Sequence, residues 1–193
     1  MNKKNIFLKI DEKKHLEICN LDYQKNHVCK YDAVGIYFIN HDTKYKLYHD
    51  VILCDFDVFK NLLFNALENK LQLVDSIKKY IGLLWNQELQ KEDHSHDLEI
   101  NLTNYLLWSS GPQIKYSTWL YNKGDEIFLE ISPDYPWHFV DPKDREEWIS
   151  YASWEKNYKP LFFYKLDKKI VQNWIYQLDE IIFAMKENDL NHK

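Results

Sequence analysis

Two histidines in an acidic segment are the first candidates for chemistry in this 193-residue sequence. His94 and His96 stand one residue apart in the run from Glu92 to Asp97, and imidazoles with carboxylates are the ligand types of zinc and related metals. On a strand both imidazoles would point to one face, as two metal ligands must. The run is strongly polar, which favours a solvated loop, and no third ligand is identifiable. A metal-dependent hydrolase that uses His94 and His96 is therefore the alternative hypothesis, and the main prediction has no cofactor.

Other arrangements typical of catalysis are weak. The Ser110-Gly111 pair precedes a proline and lacks the pattern of a nucleophile elbow. Glu126 and Glu130 lie on one face of a predicted strand, where two carboxylates could act as acid and base. The polar face of a half-exposed strand has the same pattern, so we expect both to be solvated. The sequence favours a protein that is not an enzyme.

Residues 134–154 combine acidic and aromatic side chains in an irregular, proline-containing stretch. Residues 134–147 carry five acidic side chains against two basic ones, a net charge of −3. Large aromatic side chains are typical of interface hot spots, and a stiff loop loses little entropy on binding. We predict that this stretch contacts a protein partner; the pattern leaves open that its aromatic residues cover a sheet edge as core. The predicted contact residues are Asp134, Tyr135, Trp137, His138, Asp141, Asp144, Glu146, Glu147 and Trp148.

Composition indicates which partners are compatible with the chain. It contains 25 basic and 30 acidic residues, for a formal charge of −5, and Arg145 is its single arginine. Nucleic-acid-binding proteins usually present a basic stripe and use arginine for bidentate contacts. Only 4 residues are glycine, too few for most glycine-rich phosphate cradles. We therefore expect no nucleic acid as a partner, and a protein with a basic surface instead.

Cysteine usage and hydropathy predict a cytoplasmic protein. Three cysteines leave one unpaired under any disulfide scheme, which is typical of a reducing compartment. The apolar run at 6–8 is shorter than a signal peptide requires, and no stretch approaches the length of a membrane span. Each cysteine lies in or beside an apolar run and is expected to be a small hydrophobic residue. They are Cys19, Cys29 and Cys54.

The pattern of apolar residues predicts one α+β domain over residues 1–193, built on an antiparallel sheet. The turn at Asn40-His41-Asp42 separates two apolar strands and predicts an N-terminal hairpin. A central meander of three strands follows, and Gly124 supplies one of its turns. The predicted strands are 5–10, 33–39, 45–54, 98–103, 114–121, 126–132 and 161–165.

Apolar residues spaced by three and four positions predict the helices. Two central helices are expected, one after Asp55 and one over 74–85, because the apolar phase slips between them. A short helix is predicted over 144–154. Asp167 then caps a long amphipathic C-terminal helix over 170–185. Blocks of strands and blocks of helices indicate an α+β fold in which these helices pack on the sheet.

In size, acidity and aromatic content the chain resembles the small, acidic, single-domain immunity proteins of bacteria, which neutralise toxins by binding them. The resemblance implies acidic side chains that match a basic cleft, with electrostatic steering giving fast association. It concerns general character and assigns no residue. A third hypothesis is an oligomerisation module in which exposed aromatic side chains form a self-interface.

Overall fold

The computed structural model describes residues 5–20, 33–51, 55–73, 80–91, 101–109, 114–138 and 147–190. The strands are β1 (Ile6–Lys9), β2 (Lys14–Asn20), β3 (Ala33–Asn40), β4 (Thr43–Val51), β5 (Leu106–Trp108), β6 (Tyr116–Lys123), β7 (Glu126–Pro133) and β8 (Phe162–Leu166). The α-helices are α1 (Asp55–Leu67), α2 (Ile81–Leu89), α3 (Tyr151–Lys156) and α4 (Lys168–Leu190). No helix among these residues has the length and apolar character needed to cross a membrane.

The strands form two antiparallel four-stranded sheets, each in chain order. The first sheet is β1-β2-β3-β4 and the second is β5-β6-β7-β8. This confirms the α+β class, and the predicted N-terminal hairpin is β3–β4, with His41 at a φ of 55° in its turn. Strand β2 is an addition to the predicted strands. Its alternation is short, with Leu16 and Ile18 buried between polar neighbours.

The predicted strand at 98–103 is wrong where the structure describes it. Leu102–Tyr105 is a 3-10 helix, and β5 begins only at Leu106. Asn101 turns the chain because its side chain accepts hydrogen bonds from the Thr103 backbone nitrogen at 3.1 Å and from the Thr103 hydroxyl at 2.5 Å. The alternation of Asn101, Leu102 and Thr103 resembles a strand, but Leu102 and Tyr105 are the buried pair. Residues 98–100 lie outside the described residues.

The second sheet lies between two groups of elements. On its inner face, Phe162 contacts Phe38 of the first sheet, with ring centroids 4.4 Å apart. On its outer face, Trp119 contacts Trp85 of α2 at 5.7 Å. Because side chains alternate along a strand, neighbouring residues of β6 and β7 face different groups. The outer face of this sheet is therefore covered by a helix and is not a solvated face.

Helix α4 packs beside α1 and covers one side of the hydrophobic core. Its apolar stripe is buried as predicted from Val171 to Ile182, and Asp167 accepts a hydrogen bond from the Lys169 backbone nitrogen at 2.7 Å at its start. Trp174 is fully buried and donates through Nε1 to the Lys9 carbonyl at 2.9 Å. An ion pair between Lys60 and Asp179 also joins α1 to α4. These contacts join α1, α4 and β1.

The other two helices differ from the predicted ones in their bounds. Helix α2 runs from Ile81 to Leu89, so it shares residues 81–85 with the second predicted central helix and extends four residues beyond it. Tyr80 is not helical, and residues 74–79 lie outside the described residues. Helix α3 begins at Tyr151 because the Ser150 hydroxyl oxygen accepts a hydrogen bond from the Ser153 backbone nitrogen at 3.3 Å. Residues 147–150 are not helical, which corrects the predicted start of this helix.

Candidate functional site

The predicted contact residues fall on two stretches of backbone. Residues 134–138 follow β7, and residues 147–150 lead into α3. Asp141, Asp144 and Glu146 lie outside the described residues, as do the candidate metal ligands His94 and His96. The predicted site is therefore described by the remaining six residues and their neighbours.

Asn86 of α2 holds the first stretch in place. Its side chain is fully buried, and Nδ2 donates to the Gly82 carbonyl at 2.7 Å and to the Pro133 carbonyl at 3.3 Å. Its Oδ1 accepts from the Tyr135 backbone nitrogen at 2.6 Å. These partners determine which end of the amide is oxygen. One buried amide thus joins α2 to the chain that leaves β7.

His138 is a neutral imidazole within this network. Its Nε2 lies 2.9 Å from Asn86 Oδ1, and its Nδ1 lies 2.6 Å from Gln90 Nε2. Because Asn86 Oδ1 only accepts, the proton belongs on Nε2, and Nδ1 accepts from the Gln90 amide. Burial lowers the pKa of His138 to about 4. The side chain therefore holds the loop and carries no charge at neutral pH.

Asp134 also has a structural partner. Its Oδ2 accepts a hydrogen bond from the Ser117 hydroxyl at 2.6 Å, and its backbone nitrogen donates to the Lys115 carbonyl at 3.0 Å. The carboxylate is half-buried beside β6. Asp134 therefore extends the pairing of β6 and β7 beyond the end of the sheet.

Tyr135 connects this stretch to the second one. Its ring is buried against Tyr151 and Trp154, with centroids 5.3 and 5.6 Å away, and its hydroxyl donates to the Ile149 carbonyl at 2.8 Å. The backbone at Ile149 is thus tied to the core. Trp148 and Ile149 themselves are exposed, at 41% and 45%. The aromatic residues of this segment therefore divide between core and surface.

The remaining predicted residues lie at the surface or near it. Glu147 is exposed beside Trp148, and Trp137 is half-buried. Trp148 and Ile149 are exposed and follow Glu147 directly in the chain. We call Glu147, Trp148 and Ile149 the contact patch.

Glu130 corrects the prediction of a solvated carboxylate pair. Glu126 is exposed and pairs with Lys165 at 2.5 Å, but Glu130 has no exposed surface. Its carboxylate accepts hydrogen bonds from the Tyr121 hydroxyl at 2.8 Å and the Ser132 hydroxyl at 2.6 Å. It also accepts from two backbone nitrogens at the start of α2. These are Ile81, at 3.2 Å, and Gly82, at 2.9 Å.

The surroundings of Glu130 shift several pKa values upward. Burial raises the pKa of Glu130, and the hydrogen bonds that it accepts oppose this only in part. Burial and the nearby Glu130 carboxylate also raise the pKa values of Tyr121 and Tyr158, so both phenols keep their protons. One feature of the sequence could have predicted that Glu130 is buried. Trp119 and Tyr121 lie on the same face of the sheet as Glu130, and two large aromatic side chains on one face indicate that another element packs over it.

The metal hypothesis stays a prediction. Within the described part of the chain, no three His, Cys, Asp or Glu side chains come together as a metal site requires. The residues on which the hypothesis depends, His94 and His96, are outside that part.

Comparison with known proteins adds no relative. No protein-family model, no curated protein and no solved structure matches this chain.

Proposed function

We propose that this protein is an acidic protein-binding module, of the immunity or inhibitor type, that neutralises a partner with a basic surface. The observation that carries the proposal is the contact patch. Trp148 and Ile149 are consecutive, large, apolar and exposed, and the Tyr135 hydroxyl holds the backbone beneath them. A pair of exposed apolar side chains on backbone tied to the core fits a binding surface.

The backbone below the patch lowers the cost of binding. Tyr135 ties Ile149 to the core, and the Ser150 cap starts α3 directly after it. A partner therefore orders only the exposed side chains and not the loop that carries them. Tryptophan is also among the residues most enriched in hot spots, where truncation costs about 2 kcal/mol or more.

Charge determines which kind of partner fits the patch. The segment at 134–147 carries a net charge of −3, and Glu147 lies beside the exposed tryptophan. A basic partner surface would be steered toward this segment, which raises the association rate at low salt. This is the chemistry of an inhibitor that covers a basic cleft.

The test uses the purified chain and the purified products of the genes that flank its own, beginning with any toxin encoded immediately upstream. Binding is measured by titration calorimetry, and association rates are measured at low and high salt. We expect Trp148→Ser to weaken binding about tenfold or more, since a hot-spot loss of 1.4 kcal/mol is a factor of ten. Tyr176→Ser, at an exposed tyrosine of α4, is the matched control and should bind normally.

A second pair of variants tests the charge. The first reverses four acidic residues of the segment: Asp141→Lys, Asp144→Lys, Glu146→Lys and Glu147→Lys. The control makes the same change of charge elsewhere on exposed side chains: Glu12→Lys, Asp42→Lys, Asp57→Lys and Glu68→Lys. The first variant should associate more slowly and lose most of its salt dependence, while the control loses less. Equal effects of the two variants would show that the segment is not the contact surface.

A further inference from the structure

A series of aromatic contacts along the outer side of the second sheet begins at Tyr135, whose hydroxyl donates to the Ile149 carbonyl of the contact patch. Tyr135 lies against Trp154, and Trp154 lies against Tyr158 at 5.2 Å. Tyr158 in turn contacts Tyr80, with ring centroids 6.2 Å apart. Trp154 and Tyr158 are half-buried in the α3 region, and Tyr80 directly precedes α2. The rings therefore connect the predicted segment to a part of the chain that sequence reasoning had not joined to it.

The far end of this series is exposed. Tyr80 meets Phe163 of β8 edge-to-face at 5.4 Å, and Phe163 stacks on Phe128 at 5.2 Å with an interplanar angle of 10°. The exposed fractions of Tyr80 and Phe163 are 38% and 39%, close to that of Trp148. Lys165 pairs with Glu126 beside them, so these two charges cancel. This end therefore offers apolar surface next to a neutral ion pair.

We infer that the partner covers one continuous aromatic band, which runs from the contact patch to the Tyr80–Phe163 pair. This inference rests on the proposed function, because it specifies the partner of the same site. The band is formed by Trp148, Ile149, Trp154, Tyr158, Tyr80 and Phe163.

The area that a specific interface buries favours contact over the whole band, because the contact patch alone is too small. Trp148 and Ile149 are only 41% and 45% exposed, so together they can give a partner roughly 200 Å², less than half of what two fully exposed large side chains would bury. A specific interface takes about 800 Å² from each partner. The band adds the Tyr80–Phe163 pair at its far end, with half-buried rings between, and its elements are held by ring contacts on a common sheet.

The distribution of charge then defines the partner's surface. The segment 134–147 carries a net charge of −3 in the sequence, with Glu147 exposed in the contact patch, and near Phe163 the charges of Lys165 and Glu126 pair with each other. The complementary surface is a protein with basic residues at one end and an apolar, uncharged patch at the other. A partner that is basic throughout would leave Tyr80 and Phe163 uncovered.

The test uses a random-peptide library displayed on phage as the probe, selected on the immobilised full chain. Peptides selected on the wild type should combine Lys or Arg with aromatic or aliphatic residues. Phe163→Thr replaces the ring with a β-branched residue that also suits a strand, and it should weaken their binding about tenfold or more. Phe183→Gln, which removes a 67% exposed aromatic residue from α4, is the control and should leave binding unchanged. Thermal unfolding of both variants checks that they are folded.

The same peptides distinguish this inference from the proposed function. Peptides that depend on Trp148 but bind Phe163→Thr normally would overturn the band and leave the proposed function intact. Peptides that bind Trp148→Ser and Phe163→Thr as well as the wild type, or the absence of any enriched peptide, would overturn both. Sedimentation of the chain alone gives a further check: a dimer that Phe163→Thr converts to a monomer would make the band a self-interface and refute the inference.

Discussion

The Glu130 carboxylate and the Gly82 backbone nitrogen are joined by a hydrogen bond of 2.9 Å, although the two residues are 48 positions apart. The nitrogen belongs to the first turn of α2, and the cap residue Tyr80 supplies no side-chain hydrogen bond there. Glu130 therefore provides from β7 the acceptor that a helix start normally finds locally, and a negative charge suits that end of the helix dipole. The sheet thus determines where α2 lies.

Replacing Glu130 should show how much this bond contributes. Glu130→Leu removes the acceptor of two backbone and two hydroxyl donors, and we expect a loss of about 3–5 kcal/mol of unfolding free energy. Glu130→Gln keeps one acceptor oxygen but turns an NH₂ group toward one helix nitrogen, so a loss of about 1–3 kcal/mol is expected. Chemical denaturation measures both, with Glu126→Gln on the exposed part of the same strand as control. Equal losses for the two Glu130 variants would refute a capping role.

Gly82 is expected to tolerate no larger residue. A Cβ at this position would overlap the Ser132 side chain and approach the Tyr158 hydroxyl at 2.8 Å. Alanine in a helix is normally better than glycine by about 1 kcal/mol, but here Gly82→Ala should destabilise by about 1–3 kcal/mol through overpacking. The measurement is a double-mutant cycle with Ser132→Gly, which removes the clashing carbon. Additive effects of the two substitutions would contradict the close approach.

The elements that sequence reasoning predicted well are those in which one apolar stripe determines the packing. Helix α4 is the clearest case, since Val171, Trp174 and Leu178 share one face and are all buried. In β7 the residues Ile127 and Leu129 alternate with their neighbours Glu126, Phe128 and Glu130, and both are buried. Periodicity finds such elements because it reports which residues share a face.

Periodicity does not report what covers the opposite face. Glu130 alternates with Leu129 as a solvated residue would, yet α2 covers it, and this helix comes from a distant part of the sequence. In the same way, Tyr135 and Trp148 are both aromatic residues of one acidic segment, but Tyr135 is buried and donates to the Ile149 carbonyl, whereas Trp148 is exposed. These differences depend on long-range contacts, which a local pattern does not contain.

His138 should make the stability of the protein depend on pH. Its pKa is about 4 in the folded protein, below its ordinary value of 6.5. The unfolded chain therefore binds the proton more readily, so the contribution of His138 is complete above 6.5 and is lost as the pH falls toward 4. Across that window we expect a loss of about 2–3 kcal/mol. Denaturation of the wild type and His138→Gln at several pH values measures the difference between them.

Glu130 changes the stability of the protein with pH in the direction opposite to His138. Its pKa is raised above 4.5, so the folded protein binds that proton more readily and stability falls as the pH rises from 4.5 through the folded-state pKa. Glu130→Gln removes this contribution. In the Glu130→Gln variant, the measured fall in unfolding free energy between pH 6.5 and 4, which His138 causes, should therefore be larger than in the wild type. A pH profile that is unchanged by His138→Gln would show that the imidazole is not buried in its neutral form.

Replacing the single nitrogen atom of the Asn86 side chain with oxygen should strongly destabilise the fold. Its Nδ2 faces the carbonyl oxygens of Gly82 and Pro133, so Asn86→Asp places an acceptor against two acceptors. The deprotonated aspartate is repelled there, and we expect a loss of about 3 kcal/mol near neutral pH. A protonated aspartate can donate again, so the loss should shrink as the pH falls.

The matched control for this variant is Asn104→Asp, at an exposed asparagine of the 3-10 helix, which should change stability little at any pH. Denaturation of both variants and the wild type across acidic and neutral pH gives the comparison. The repulsion should displace the carboxylate, and with it the oxygen that accepts from the Tyr135 backbone nitrogen. Since Tyr135 holds the Ile149 backbone, Asn86→Asp should increase amide hydrogen exchange at residues 148–150 more than elsewhere in the α3 region. If exchange at these residues does not change while stability falls, then Asn86 supports the fold alone and does not position the contact patch.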